Sequence, residues 1–436
     1  MNIVLLSGGS GKRLWPLSND IRSKQFIKIF STDNDNYKSM VQRVYAQIKK
    51  IDTNAKITVA TSKTQVSAIH NQLGEDVAIS VEPCRRDTFP AIALAAAYLH
   101  DVQNVKEEEV VVICPVDPYV EDDYFEAIKK MEKIVNGGYS NISLMGIEPT
   151  YPSEKYGYII PNDNKFVSRV LMFKEKPDKK NANKYISNGA LWNSGVFAFK
   201  LGYILKRAHE LINFVNYYDL LNNYNKLEKI SFDYAVLENE TSISVMRFSG
   251  KWKDLGTWNT LTEAMESNSV GKAIMNETCK NTHVINELDV PILCMGLKNL
   301  VVSASPEGIL VSDKEQSSYI KPFVDGIEQQ IMFAEKSWGE FRVIDVEDDS
   351  LTIKVTLNEG HSMNYHYHDL RDEVWTVILG EGMVIIDGEK KNVKVGDVIE
   401  MPAGTRHTVI AKTKLQLIEV QIGENISVED KYKVNI

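Results

Sequence analysis

The chain is short of positive charge, cysteine and long apolar runs, and each shortage removes a class of function. Its formal charge of −9 at pH 7 argues against broad nucleic-acid binding, although a local basic pocket is compatible with it. The four cysteines, Cys84, Cys114, Cys279 and Cys294, form no C-x-x-C pair, so zinc ribbons and thioredoxin chemistry have no support. The longest apolar runs, such as AIALAAAYL at 91–99, fall well short of the ~20 residues that span a membrane. At the amino terminus the apolar run precedes Lys12 and Arg13, the reverse of signal-peptide order, so a cytoplasmic protein with reduced thiols is expected. There is no long internal repeat and no low-complexity tract. The composition, 43% hydrophobic and 25% charged, is that of an ordinary globular protein, and 436 residues suggest two or three domains.

Up to about residue 265, apolar runs (NIVLL, KITVA, AISVEP, EVVVICPVD, ISLMGI) alternate with amphipathic stretches (SMVQRVYAQIKKI, TFPAIALAAAYLHDV, DYFEAIKKMEKIV). That alternation predicts an α/β domain over 1–265, a Rossmann-like, mostly parallel sheet covered by helices on both faces. Between 266 and 330 the helical period disappears and short runs such as NLVVSAS and GILVSDK predict a small β connector. From 331 to 436 glycines punctuate β-like runs at hairpin spacing, which predicts a small β-barrel.

Residues 7–16, SGGSGKRLWP, follow the first apolar run as a phosphate-binding turn would, yet neither familiar motif fits. A P-loop would need glycine at Leu6 and a hydroxyl at Arg13; a dinucleotide fingerprint would need glycine at Leu14. What remains is a glycine-rich turn in which Gly8, Gly9 and Gly11 let the backbone approach a ligand and adopt positive φ. Successive amides there would form an anion nest. Arg13 adds a planar fork for phosphate oxygens, and Lys24, in SKQF, a second cation. In an open α/β sheet, ligands bind at the carboxyl ends of the strands, where this turn and CPVDPY both belong. Asp117 in CPVDPY and Asp254 in GKWKDLGTW are candidate metal carboxylates, since magnesium takes one or two carboxylates plus phosphate oxygens. Taken singly, each reads better as a helix cap or turn aspartate. In VEPCRRDTFPAIALAAAY, Asp87 or Thr88 reads as a helix N-cap, while the adjacent arginines are harder to explain by packing.

These stretches carry a resemblance. GGSGKRLWPLS and KQF, EPCRRDTFPAIALA, CPVD, GIEPTYPSEKYGYI, FKEKPD, LWNSGVFAF, SFDYAVLE and KWKDLGTW, in that order, resemble the sugar-1-phosphate nucleotidylyltransferases of the mannose-1-phosphate guanylyltransferase branch. Together they span nearly all of residues 1–260. Ser23 stands where the family has proline, Pro118 where histidine follows the aspartate, and RRDTFPA where it has GRNTAPA, near the expected base pocket, so another nucleotide remains open. The resemblance implies attack of a sugar 1-phosphate oxygen on the α-phosphorus of a nucleoside triphosphate, with GTP and mannose 1-phosphate giving GDP-mannose and pyrophosphate. By the same resemblance Gly8, Gly9 and Gly11 cradle the nucleotide, Arg13 and Lys24 neutralise its phosphates, and Asp117 and Asp254 hold Mg²⁺. Glu82, Arg86 and Thr88 meet the base; Gly157, Glu175, Lys176, Asn193 and Asp233 hold the sugar phosphate. Retention of Arg13, Lys24, Asp117 and Asp254 together favours an enzyme over a non-catalytic nucleotide-sugar sensor. No nucleic acid and no membrane is expected as a partner, and a homo-oligomer is.

Four of the eight histidines, His361, His366, His368 and His407, fall within 361–407. His366 and His368 share one face of a strand, Glu373 joins them from its neighbour, and His407 follows in GDVIEMPAGTRH. Three imidazoles and a carboxylate suit a divalent first-row metal, Zn²⁺ or another. The spacing matches both halves of the cupin signature apart from Ala411, which replaces the terminal asparagine. Within the guanylyltransferases, such a barrel resembles type II phosphomannose isomerase, and EKSWGEF fits its start. Asn364 replaces that family's glutamine, two extra residues and no second histidine lie around Glu373, and Thr408 replaces an arginine. These departures make mannose-6-phosphate isomerisation the alternative and transfer the leading reading.

Overall fold

The computed structural model describes residues 1–9, 12–19, 21–31, 37–327, 330–424, 426–427 and 430–434; Gly11 lies outside the described residues. The chain divides into two compact units, Met1–Ser10 with Gln25–Val66 and Asp76–Glu266, and Gly11–Lys24 with Ser67–Glu75 and Ser267–Ile436.

The first unit is built on a nine-stranded sheet. Its spatial order is Ala78–Glu82, Lys56–Ser62, Asn2–Leu6, Val110–Pro115, Leu191–Lys200, Ile142–Ile147, Ile243–Phe248, Val167–Lys174 and Tyr158–Pro161. Leu191–Lys200 and Val167–Lys174 run against the rest, so the sheet is mostly parallel in sense. Leu6 pairs with Ala60 on one side and Pro115 on the other, which brings the carboxyl ends of three parallel strands to one edge. Val4, Val111 and Ile113 pack with Phe89, Ile92 and Leu99 of the helix Thr88–Asp101 in one core cluster. Ile3, Leu5 and Val112 point to the other face and are equally buried. Burial on both faces is why these strands read as unbroken apolar runs. The helix Asp122–Asn136 packs on Val110–Pro115, Ile142–Ile147 and Leu191–Lys200.

Local chemistry starts the helices. Met40–Ile51 opens with a capping box, in which the Ser39 side chain accepts from Gln42 N and the Gln42 amide oxygen accepts from Ser39 N at 3.1 Å. Asp87 caps Thr88–Asp101, its carboxylate accepting from Thr88 N at 2.8 Å. A cap of this kind stabilises a helix by about 1 kcal/mol.

In the second unit the connector is a coil of parallel strands. Ser269–Val270, His283–Asn286 and Leu300–Ser305 run parallel, and Gly308–Asp313 returns antiparallel beside the last. Ala273–Met275 and Ile292–Cys294 form a second parallel pair. The barrel is a six-stranded sheet facing a five-stranded one, antiparallel throughout. Its core holds Trp375, Leu357, Val409 and Leu417. No helix of the described residues is long and apolar enough to cross a membrane.

Candidate active site and barrel metal centre

Gly8 and Gly9 leave the carboxyl edge of the sheet, but neither has positive φ, contrary to the expectation from sequence. Side chains tie the carbonyls of this segment instead. Gln25 Nε2 donates to Ser7 O at 2.9 Å, Gln65 Nε2 to Gly9 O at 3.2 Å, and Arg85 to the same carbonyl at 3.5 Å. Closeness bears on Gly8 alone of the two: a Cβ there would lie 3.3 Å from Glu82 Oε1, whereas Gly9 faces open space. Glu82 ends its strand at the same edge and is buried. Burial pushes its carboxyl above the usual range; the Tyr224 hydroxyl, donating to Oε2 at 2.7 Å, and Arg85 oppose this, and Asp87 adds to it. Asp87 has φ 69° and ψ −175°, a conformation close to glycine-only and costing on the order of 1–3 kcal/mol. Thr88 is committed in part to structure, its hydroxyl accepting from Phe232 N at 2.8 Å. Arg86, which packing did not explain from sequence, donates to the carbonyl of Asn225.

Asp117 lies between the strands Val110–Pro115 and Pro118–Val120 and caps no helix; Glu121 holds the N-cap position of Asp122–Asn136. Asp254 ends the short strand Trp252–Asp254, which pairs antiparallel with Pro118–Val120 so that Asp254 faces Pro118. The two candidate metal carboxylates therefore sit one residue apart across a ladder whose facing Cα atoms are about 5 Å apart. Burial, then the Asp254 charge, holds the Tyr156 phenol far above its usual range.

The five residues assigned to the sugar phosphate converge. Asn193 Nδ2 donates to Asp233 Oδ1 at 2.9 Å, and Asn193 N donates to Gly157 O at 2.8 Å. A Cβ on Gly157 would lie 2.5 Å from Glu175 Oε2, and Lys176 Nζ is 2.7 Å from Glu175 Oε1. Lys176, an ordinary turn residue by sequence, has φ 43°, which turns the chain back at this point. Asp233 is pushed up to about 7, mainly by burial and next by Glu175; its backbone hydrogen bond and Lys176 pull the other way. Arg13 lies in the turn Lys12–Leu14 and Lys24 opens the turn Lys24–Phe26; both belong to the Gly11–Lys24 segment of the second unit.

In the barrel, His366, His368, Glu373 and His407 are buried, with ligand atoms all within 4.8 Å of one another. Each imidazole is oriented by a backbone carbonyl on Nδ1: His366 by Asn364 at 2.6 Å, His407 by Thr405 at 2.9 Å, and His368 by Asp430. Nδ1 then carries the proton and Nε2 presents its lone pair, as a metal ligand must. Glu373 is 3.0 Å from His368 Nε2 and 3.3 Å from His407 Nε2. The second contact lacks hydrogen-bond geometry, which leaves His407 Nε2 buried and unsatisfied. Such an orphaned nitrogen in an N₃O set fits a divalent ion. Burial, then the charges of Lys431 and His407, pushes His366 down to about 2. Glu373 lies well below the usual carboxylate range because its imidazole partners outweigh its burial. Sequence reading missed Arg371, which donates to Glu373 Oε1 at 3.1 Å and faces His368 Nε2 at 3.3 Å. Its place two residues before Glu373, just ahead of the strand Asp372–Leu379, was the available signal. Asp430 orients His368 through its main-chain carbonyl while its carboxylate accepts from Asp369 N and Leu370 N, and nothing in the sequence signalled it.

With this geometry in hand, comparison with known proteins decides the family. Residues 2–269 match the family described as nucleotidyl transferase. The chain belongs to the nucleotidyl transferase family. Residues 353–421 of this nucleotidyl transferase match the cupin domain, in agreement with the barrel. Among curated relatives, a mannose-1-phosphate guanylyltransferase of Salmonella montevideo is 26% identical over 98% of this chain and 97% of its own length. The xanthan biosynthesis protein XanB of Xanthomonas campestris pv. campestris (strain B100) is 28% identical over 98% of this chain and 96% of its own. A solved structure from Thermus thermophilus, described as a mannose-1-phosphate geranyltransferase, is 26% identical with a TM-score of 0.62 and covers 74% of this chain and 98% of that one.

Proposed function

We propose that this nucleotidyl transferase makes GDP-mannose and pyrophosphate from GTP and mannose 1-phosphate, as a supplier of nucleotide sugar to polysaccharide biosynthesis. The observation that carries the reading is the convergence of Gly157, Glu175, Lys176, Asn193 and Asp233, distant in sequence, on one carboxylate-lined site. The full-length likeness to guanylyltransferases supports the same substrates.

In this reading Gly8, Gly9 and Gly11 admit the nucleotide and Arg13 and Lys24 neutralise its phosphates. Glu82, with Arg86 and Thr88, meets the base; a carboxylate acceptor suits the adjacent N–H donors of guanine. Asn193 and Asp233 orient the sugar and Lys176 its phosphate, so that a phosphate oxygen lies in line with the α-phosphorus. The new P–O bond forms as the bond to pyrophosphate breaks, a reaction that asks mainly for positioning and charge neutralisation. Asp117 and Asp254, side by side across their ladder, would hold Mg²⁺, which when bound offsets the charge on the leaving phosphates. Asp117→Ala or Lys24→Ala is expected to abolish pyrophosphate release with the fold intact by circular dichroism; near-normal turnover would remove that residue from the catalytic set. GTP or GDP-mannose, and not CTP or UTP, is expected to raise the melting temperature.

His366, His368, Glu373 and His407 would hold Zn²⁺ or another divalent ion, whose Lewis acidity could polarise a bound carbonyl. Isomerisation at this site is the weaker reading, because Thr408 stands where the isomerases have arginine and spends its hydroxyl on Met363 O at 2.7 Å. Conversion of fructose 6-phosphate to mannose 6-phosphate with added Zn²⁺ or Co²⁺ decides it. We assign residues 1–265 to transfer, 266–330 to the connector and 331–436 to the cupin, and expect a cytoplasmic homo-oligomer.

A further inference from the structure

We propose that the β connector positions the loop carrying Arg13 and Lys24, and so sets the turnover of the transferase. This inference rests on the transferase reading. Residues 12–19 and 21–24 have little regular structure, two short turns apart, and the few local hydrogen bonds around Asn19 leave most of the entropy of a free loop to be offset by packing on other elements. Their partners in the second unit supply that packing from both ends.

Beyond Arg13, the Trp15 indole lies against Gly308: a Cβ there would come within 2.5 Å of Trp15 Cζ2. Ser305 Oγ donates to Pro16 O at 2.6 Å. Before Lys24, Arg22 is 5% exposed and grips Glu287 with both terminal nitrogens, at 2.8 and 2.9 Å. Its guanidinium also stacks on the Phe333 ring, 4.9 Å from the centroid. Asn19 ties the middle: Oδ1 accepts from Ile21 N at 2.9 Å and Arg22 N at 2.6 Å, while Nδ2 donates to Glu307 Oε1 at 2.8 Å and Phe333 O at 2.9 Å. Glu307 Oε1 also accepts from Met332 N and Phe333 N, both at 3.0 Å, which joins loop, connector and first barrel strand at one carboxylate. Arg13 stands two residues before one anchor and Lys24 two residues after the other. Arg22, Glu287, Asn19 and Gly308 are positioning residues: their effect on phosphate would pass through the two loop cations.

The test uses the full-length chain with Glu287→Gln, which leaves a buried guanidinium without its counter-charge, and Gly308→Ala, which pushes into the Trp15 ring. A misplacement of about 1 Å costs on the order of 100-fold in rate, so kcat for pyrophosphate release is expected to fall about 10- to 100-fold. KM for mannose 1-phosphate is expected to stay within about twofold, because Gly157, Glu175, Asn193 and Asp233 belong to the first unit. Hydrogen exchange should rise over residues 12–24 and stay unchanged in the strand Val110–Pro115. Arg22→Lys, which keeps the charge but loses the two-pronged contact, stands in should either variant fail to fold. Unchanged kcat in folded variants overturns the proposal, and so does a rise in KM that matches the fall in kcat. Wild-type protein without nucleotidyl transfer would refute the transferase reading itself, a separate result.

Discussion

Asp233→Asn tests the electrostatics of the cluster proposed to hold the sugar phosphate without removing its shape. Asp233 rises from the ordinary 3.8 to about 7. In the folded protein it keeps its proton where the unfolded chain has lost it, so its contribution to stability is fully present below about pH 4 and is lost as pH rises through 7. Three pKa units at about 1.4 kcal/mol each give ~4 kcal/mol as the upper bound on the penalty for the ionised form. The residue is partly exposed, and solvent screening reduces this to about 2–3 kcal/mol. Asparagine is always neutral and keeps an oxygen to accept from Asn193. The variant should match wild type near pH 4, gain progressively from pH 4 to pH 7, and exceed it by about 2–3 kcal/mol at pH 8. Urea unfolding of both proteins, followed through the first unit's transition at four or five pH values, measures this directly. A difference that is flat in pH, or that grows towards pH 4, would refute the reasoning. The same variant is expected to lower transfer activity, since a neutral amide is a weaker hydrogen-bond acceptor than a carboxylate for the sugar hydroxyls it would orient.

Two further substitutions probe the remaining geometry. Gly157→Ala forces a methyl against Glu175 Oε2 and Phe173 Cζ, at 2.5 and 2.9 Å, and should cost about 1–3 kcal/mol while raising KM for mannose 1-phosphate; an unchanged KM would place the sugar elsewhere. Asp430 accepts from Asp369 N at 2.9 Å and Leu370 N at 3.1 Å and orients His368, so Asp430→Ala is expected to weaken Co²⁺ binding about 10- to 100-fold in a spectroscopic titration. Equal affinity in the two proteins would show that the carboxylate does not fix His368.

Much of this protein was legible as residues. Strands buried on both faces leave apolar runs, helices leave a period and caps, and the clustering of His366, His368 and Glu373 in sequence marked the barrel site, although Glu373 reaches it from a strand of the facing sheet and not from the neighbouring strand expected. The glycine-rich segment was read wrongly in its backbone, since Gly8 and Gly9 lack positive φ: Gln25, Gln65 and Arg85 hold its carbonyls, and none of these is recognisable beforehand as a partner of Ser7 or Gly9. By itself the sequence determined the layered α/β domain, the barrel, and the residue types proposed for phosphate and metal, because those follow from short-range periodicity and from chemistry fixed within each motif. Only the tertiary structure decided that Asn193 meets Asp233, that Tyr224 holds Glu82, that a carbonyl 62 positions away orients His368, and that Glu287 clasps the arginine before Lys24. Those pairings are set by the order and direction of strands, which no local pattern encodes.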